Sequence, residues 1–394
     1  LGTALENTDR SAIKAQIKRE AERHFETALT LSHRIHENPE VGFEEHRAHD
    51  WMVRAVSELD MELQDRVDEL DTAFVAQAGE GPLSVGICAE YDALPNVGHA
   101  CGHNVIAAAA YLSTAALRPF LETLGVSVRI LGTPAEESGG GKVLMLEKGS
   151  FKGLNAAMMV HPAPTESDRM PTLAAKHLDI TYRGREAHAS GYPQEGINAL
   201  DAMTIAQVAI GLQRQHIYPY DQVHGYVKHG GDAPNVIPAL VEAMYLVRSR
   251  TLSDLTILEP KIRRCFEAGA LATGSQLEIT NPSPPYSEFV TDEEMASLYR
   301  DQAQLCGRPF PDPTREFRAS TDMANISLEI PSIHPLLDID SLPAINHQPE
   351  FTRAAGSSAA DRAIFEGALA MAYTVVEIAS TESLRSRLIS HRCR

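Results

Sequence analysis

Apolar side chains recur every four residues at Ile13, Ile17, Ala21, Phe25 and Leu29, which predicts an amphipathic helix over Ser11–His36. His46–Leu59 reads as a second helix. The period then changes. Ala73–Ala78 and Leu83–Ala89 are short apolar runs of strand length, and Gly79-Glu80-Gly81-Pro82 between them predicts a hairpin-like break. An alanine-rich helix is expected over Asn104–Leu124, with strands at Val126–Leu131 and Ala156–Val160. Such alternation predicts an α/β fold, a mostly parallel sheet flanked by helices. In such sheets functional groups gather beyond the carboxyl ends of the strands. Asp92, Cys101, His103, Glu136, Glu137 and His161 all follow strand-like runs.

The texture shifts near Pro171. Strands are expected at His177–Arg183, Glu242–Ser249 and Ser275–Thr280, with helices at Asn198–Gln215 and Ser253–Ala270 between them. This block reads as an inserted α+β domain over 173–283, closed by a rigid proline-rich hinge at Asn281-Pro282-Ser283-Pro284-Pro285. The flanking parts, 1–172 and 284–394, form one discontinuous domain that ends in a long amphipathic helix over Ser357–Ser380.

Composition narrows the class. The 394 residues exceed one typical domain, and a hydrophobic share of 43% is that of a globular protein. A formal net charge of −18 argues against nucleic acid or an anionic membrane as a partner. Cys88, Cys101, Cys265, Cys306 and Cys393 are odd in number and lack framework spacing, which fits free thiols in a reducing compartment. No apolar run approaches the roughly 18 residues of a membrane span, and no signal-like core opens the chain. A cytoplasmic protein is expected.

Candidate chemistry begins at Gly98-His99-Ala100-Cys101-Gly102-His103-Asn104, followed by Pro134-Ala135-Glu136-Glu137. Alone, each piece is ordinary: a buried cysteine is a small hydrophobe, and a Glu-Glu pair is a solvated face. Together, thiolate, imidazole and carboxylates make a transition-metal site. In an extended segment Cys101 and His103, as i and i+2, would point to the same side.

The chain resembles the aminoacylase/carboxypeptidase-like metallopeptidases, family M-twenty. The resemblance runs in order through Glu90-Tyr91-Asp92-Ala93-Leu94-Pro95, His99-Ala100-Cys101-Gly102-His103, Pro134-Ala135-Glu136-Glu137 and Val160-His161-Pro162. It continues in His36-Glu37-Asn38-Pro39-Glu40, Ala187-His188-Ala189-Ser190, Ala233-Pro234-Asn235-Val236, Ala319-Ser320-Thr321-Asp322 and His347-Gln348-Pro349-Glu350-Phe351. The cysteine places it with the amidohydrolase branch that cleaves amino-acid conjugates. The resemblance implies two divalent transition-metal ions, manganese or zinc first, with cobalt or nickel as alternatives. It implies Cys101 as a bridging ligand, His103, Glu137, His161 and His347 as the other ligands, and Glu136 as general base. Asp92 would be structural or would support a ligand from behind. The inserted domain would serve as a lid and dimerisation module, giving a homodimer or higher homo-oligomer. Its His188 would stabilise the tetrahedral oxygen, often in the partner subunit's site, while Asn235 and an arginine, with Arg250 the candidate, would hold the substrate carboxylate.

The implied reaction is hydrolysis of the amide bond of small N-acyl amino acids or dipeptides. Hydrolysis of a ureido or carbamoyl C–N bond, or a catalytically silent metal-binding protein, are the alternatives. Asn104 stands where many relatives have aspartate, a change that could tune ligand basicity. Together with Ser138-Gly139-Gly140-Gly141-Lys142 it points toward the subgroup of dipeptidases for β-alanyl-lysine-type peptides. The three glycines place backbone near substrate at Gly140, or they are a flexible loop.

Overall fold

The computed structural model describes residues 7–311 and 318–391; Cys393 lies outside them. The chain divides into two units, Leu1–Pro171 with Phe289–Arg394, and Thr172–Glu288. The first unit opens with α1 (Asn7–Glu37) and α2 (His46–Ser57), then β1 (Glu62–Asp65), β2 (Phe74–Ala78) and β3 (Leu83–Ala89). Next come α3 (His103–Leu117), α4 (Leu121–Leu124), β4 (Val126–Gly132), α5 (Gly141–Lys148), β5 (Ala156–Met158) and β6 (His161–Ala163). The single helix expected over 104–124 is broken, because Arg118-Pro119-Phe120 forms a 3-10 turn where proline supplies no N–H to an α-helix.

The second unit contains β7 (Ala174–Arg183), α6 (Ala199–Gln213), β8 (Gln222–His229), β9 (Leu240–Ser249), α7 (Leu252–Thr273) and β10 (Gln276–Thr280). Its antiparallel sheet runs β10-β7-β9-β8. Leu178, Ile180 and Tyr182 of β7 pack with Met203 of α6 and Phe266 of α7 in a separate core. β8 escapes the sequence pattern because it is an edge strand whose residues are mostly exposed. The proline-rich segment is no free hinge. Asn281 donates its side-chain N–H to the His177 carbonyl at 2.9 Å, and Tyr286 and Ala175 exchange backbone hydrogen bonds at 2.9 Å each way. The segment is thus stitched to β7, and the unit extends to Glu288.

The first unit resumes with α8 (Glu293–Leu305), α9 (Met323–Glu329), β11 (Ser332–Ile333), β12 (Leu336–Asp338), α10 (Pro349–Ala355), α11 (Ser358–Ser380) and α12 (Glu382–Ser390). Its main sheet has the order β1-β2-β4-β3-β5-β11. β3 is parallel to β4 and β5, and β5 to β11, whereas β1 and β2 run antiparallel at one edge. The expected β2–β3 hairpin does not form, because β4 lies between the two strands. The Gly79–Pro82 segment instead presses on the start of β4: a Cβ on Gly81 would stand 2.2 Å from the Val126 nitrogen.

Successive residues of the central strands enter different cores, as a period of two requires. Val85, Ile87, Val128 and Ile130 face a core shared with α1, α3 and α11. Cys88, Leu131 and Ala157 face another, with Met145 of α5 and Met323 and Ile326 of α9. Helices therefore cover both faces. α11 is not amphipathic as expected but buried on nearly every side. It is long and apolar enough to cross a membrane, but 83% of its apolar window is buried inside the protein, as befits a core helix.

Candidate metal centre

The parallel strands β3, β4 and β5 end at one edge of the sheet, and their following loops supply the polar groups. β3 leads to Glu90 and Asp92, β4 to Glu136 and Glu137, and β5 to His161, the first residue of β6. Cys101 and His103 do not share an extended segment, contrary to expectation. Cys101 lies in a turn and His103 is the first residue of α3, with Gly102 between them at φ 76°. That left-handed residue turns the chain sharply enough to bring both side chains to one point. A Cβ there would also strike the Pro162 ring at 2.8 Å, so glycine is required twice over.

Two sets of donor atoms form around Cys101. Its Sγ, a His103 ring nitrogen and a His161 ring nitrogen lie within 4.8 Å of one another, and so do Cys101, Glu137 and His347. The Nε2 atoms of His161 and His347 each stand 3.6 Å from the Cys101 sulfur. Their other ends are anchored. His161 donates Nδ1–H to the Pro162 carbonyl at 2.9 Å, leaving Nε2 as the lone-pair nitrogen. His347, at φ 71°, is fixed by its backbone N–H to the Ala100 carbonyl at 2.9 Å. Asn346, which the sequence reading did not single out, bonds the Pro162 carbonyl at 3.1 Å beside the same sulfur.

Asp92 organises the opposite side. It accepts Nδ1–H of His103 at 2.8 Å and the Glu137 backbone N–H at 3.0 Å. Burial alone would lower His103, but Asp92 raises it well above the ordinary histidine value. The buried Nε2 of His103 and Oε1 of Glu137 have no hydrogen-bond partner among the described residues. A soft thiolate between imidazoles and a carboxylate, with inward lone pairs otherwise unmatched, is a donor set that fits divalent transition-metal ions. Burial, then Glu137, pushes the Cys101 thiol well up, so a cation is what favours its thiolate.

Glu136 and Glu137 both approach His103 Nε2, at 3.9 Å each, but they join different clusters. The Glu136 carboxylate joins Glu90 and His103 in a third cluster. Burial, then the charges of Glu90 and Glu137, raises it well above the ordinary carboxylate value. The preceding Ala135 is left-handed at φ 56°, and its N–H is accepted by the buried Glu45 at 2.7 Å. Glu45, Glu90, Lys142 and Asp322 were not assigned roles from sequence, since each acts through a residue far along the chain.

Among the described residues the Asn104 amide hydrogen-bonds no candidate ligand, which corrects the expectation that it tunes metal basicity. Its amide donates to Ser32 Oγ and to the Ala355 carbonyl, both at 2.9 Å, tying α3 to α1 and to the end of α10. Gly140 is the N-cap of α5 at φ 69° and donates its N–H to the Ala135 carbonyl at 2.8 Å, in a hydrogen-bonded turn rather than a free loop. In the second unit, His188 Nδ1 accepts the Gly191 N–H at 3.0 Å, which leaves its proton on Nε2. The Ala189 N–H donates to the Asn235 carbonyl at 2.9 Å, bringing His188 and Asn235 into neighbouring segments. Arg250 lies over the Tyr220 ring at 4.8 Å and 3.5 Å from Asp254.

Residues 174–273 match the model of a peptidase dimerisation domain. The chain is 37% identical over 382 residues to an Xaa-Arg dipeptidase of Mus musculus, covering 92% of this chain and 88% of that one. It is 30% identical over 269 residues to one of the subunits of p-aminobenzoyl-glutamate hydrolase from Escherichia coli, covering 63% of this chain and 56% of that one. The fold is similar to that of a dinuclear metal-binding peptidase of family M-twenty from Bacillus subtilis, with a TM-score of 0.67 at 22% identity over 91% of this chain and 99% of that one.

Proposed function

From the premise that the chain belongs to the metallopeptidases of family M-twenty, we propose that this metal-dependent amidohydrolase is a dipeptidase acting before a basic C-terminal residue. Metal-dependent hydrolysis of the amide bond of N-acyl amino acids or dipeptides is the activity of the family. The preference for arginine rests on the 37% identity to an Xaa-Arg dipeptidase over most of both chains, and lysine is included as a side chain of the same charge. The observation that carries the chemistry is the Cys101 sulfur between two histidine Nε2 atoms at 3.6 Å, with the buried Glu136 beside His103.

Two bound divalent ions would supply Lewis acidity that polarises the scissile carbonyl and acidifies water. Cys101, His103, Glu137, His161 and His347 would hold them. Glu136, raised by burial and its acidic neighbours, accepts the proton of the attacking water and returns it to the leaving amine. His188 offers Nε2–H to the oxygen that gains charge. Asn235 and Arg250 take the substrate carboxylate, a task suited to a guanidinium. Manganese or zinc, with cobalt or nickel as substitutes, suits this donor set. The matched dimerisation domain supports a homodimer, and the free Cys88, Cys101, Cys265 and Cys306 support a cytoplasmic setting.

The test is a panel of Xaa-Arg, Xaa-Lys, acyl-glutamate and ureido substrates with metal-reconstituted enzyme, alongside Glu136→Gln. The expected result is highest kcat/KM on the basic dipeptides, and loss of turnover in the variant at unchanged metal content. A higher kcat/KM on acyl-glutamate or ureido compounds would overturn the substrate assignment, and an active Glu136→Gln would overturn the base.

A further inference from the structure

The loop that carries Glu136 closes on Lys142, a residue that the reaction above leaves unused. The Lys142 ammonium lies 2.6 Å from Glu90 Oε1 and 2.7 Å from Asp322 Oδ1, and none of the three side chains is solvent-accessible. Asp322 makes a second contact, accepting the Lys142 backbone N–H at 2.9 Å. That N–H belongs to the first turn of α5, whose N-cap Gly140 has no side-chain oxygen to offer. Asp322 thus caps α5 from 180 residues away.

The three partners join three segments at the edge of the centre. Glu90 directly follows β3 and turns its second oxygen toward His103 Nε2 at 3.4 Å. Asp322 heads α9. Lys142 closes the 134–141 turn, within which the Gly139 and Gly140 N–H groups both donate to the Ala135 carbonyl, at 2.9 and 2.8 Å. The turn is so tight that a Cβ on Gly141 would stand 2.0 Å from the Pro134 oxygen, which is why glycine precedes the lysine. The ammonium also attracts the Glu136 carboxylate. Apolar residues of like volume commonly stabilise a core as well as a buried ion cluster does, so stability alone gives no reason for three buried charges here.

We propose that Lys142 is a positioning residue for Glu136, the Glu90–Lys142–Asp322 triad fixing the 134–141 turn so that the Glu136 carboxylate stands at the reacting centre. The proposal rests on Glu136 being the general base, which wild-type turnover and the Glu136→Gln variant test independently.

The experiment compares wild type, Lys142→Met, and the charge-free combination Lys142→Met with Glu90→Gln and Asp322→Asn. The last keeps the volume and leaves no unpaired charge if the single variant fails to fold. Thermal melting and elemental analysis accompany kinetics on an Xaa-Arg dipeptide. The expected result is a folded, metal-loaded combination variant whose kcat falls by about 100-fold with little change in KM. On the residual turnover of a Glu136→Gln background, read at high enzyme concentration, the same changes should cost nothing further, because they act through that carboxylate. A metal-loaded variant with wild-type kcat, or a loss that adds fully to that of Glu136→Gln, overturns the proposal. Failure of both variants to fold or to retain metal also overturns it, assigning the triad to stability or to the metal site.

Discussion

Asp92 accepts the Nδ1–H of His103 at 2.8 Å from a wholly buried position. Burial would raise this carboxyl, but the charge and hydrogen bond of His103 carry it below the ordinary value. Its other oxygen takes the Glu137 N–H at 3.0 Å. One ionised carboxylate therefore sets the tautomer of one candidate ligand and the backbone direction of another.

Asp92→Asn keeps the shape but not this double acceptance. An amide oxygen can serve His103, but the amide N–H₂ then faces the Glu137 N–H, donor against donor. Metal affinity is expected to fall by about 10- to 100-fold, with the fold retained. Calorimetric titration of metal into the apo-protein measures it; wild-type affinity would remove Asp92 from the support of the centre.

Gly102→Ala probes the turn between Cys101 and His103. The new Cβ meets Pro162 at 2.8 Å and sits on a residue at φ 76°. Strain of this kind costs about 1–3 kcal/mol. It falls where Cys101, His103 and His161 converge, so metal stoichiometry should drop together with Tm. A variant that melts lower but binds both ions normally would show that the turn does not set the ligand geometry.

How much of this was legible in the sequence follows from distance along the chain. Cys101, His103 and the Glu136-Glu137 pair stood out because local motifs follow local apolar runs, and strand ends are readable from such runs. The insertion of β4 between β2 and β3 was not readable, because both neighbours of a hairpin look the same in sequence whether or not they pair. The roles of Glu45 and Asp322 escape the sequence for a related reason. Each supports the Glu136 turn from 90 and 180 residues away, by a carboxylate that sequence alone cannot tell from a solvated one. Asn104 was read through its neighbour His103, yet as the second residue of α3 it points away to Ser32.

Asn104→Asp tests that last point. The amide donates two buried hydrogen bonds, and an ionised carboxylate can donate neither. Facing the Ala355 carbonyl, it would add repulsion in a site with no exposure. A loss of about 1–3 kcal/mol in chemical denaturation is expected, with metal affinity unchanged. Altered metal affinity in a variant of unchanged stability would restore a ligand-tuning role to this position.

Glu45 provides the pH test. Burial, with the charge of Asp92, pushes its carboxyl up to about 7, despite hydrogen bonds from Thr72 and Ala135 that pull it down. The native state therefore prefers the neutral form more than the unfolded chain does. Its stabilising contribution is fully present below the ordinary value of 4.5 and is lost as pH rises through about 7. Glu45→Gln mimics the neutral form: its oxygen can accept the Ala135 N–H, and its amide can donate to Thr72 Oγ1. Across that interval the variant should gain on wild type by on the order of 1 kcal/mol or more, being the more stable partner at neutral pH. Urea denaturation of both proteins at a series of pH values reads this directly. A stability difference that stays flat from acid to neutral pH would mean that Glu45 titrates alike in the folded and unfolded chain, and that its burial under the Glu136 turn does not hold it neutral.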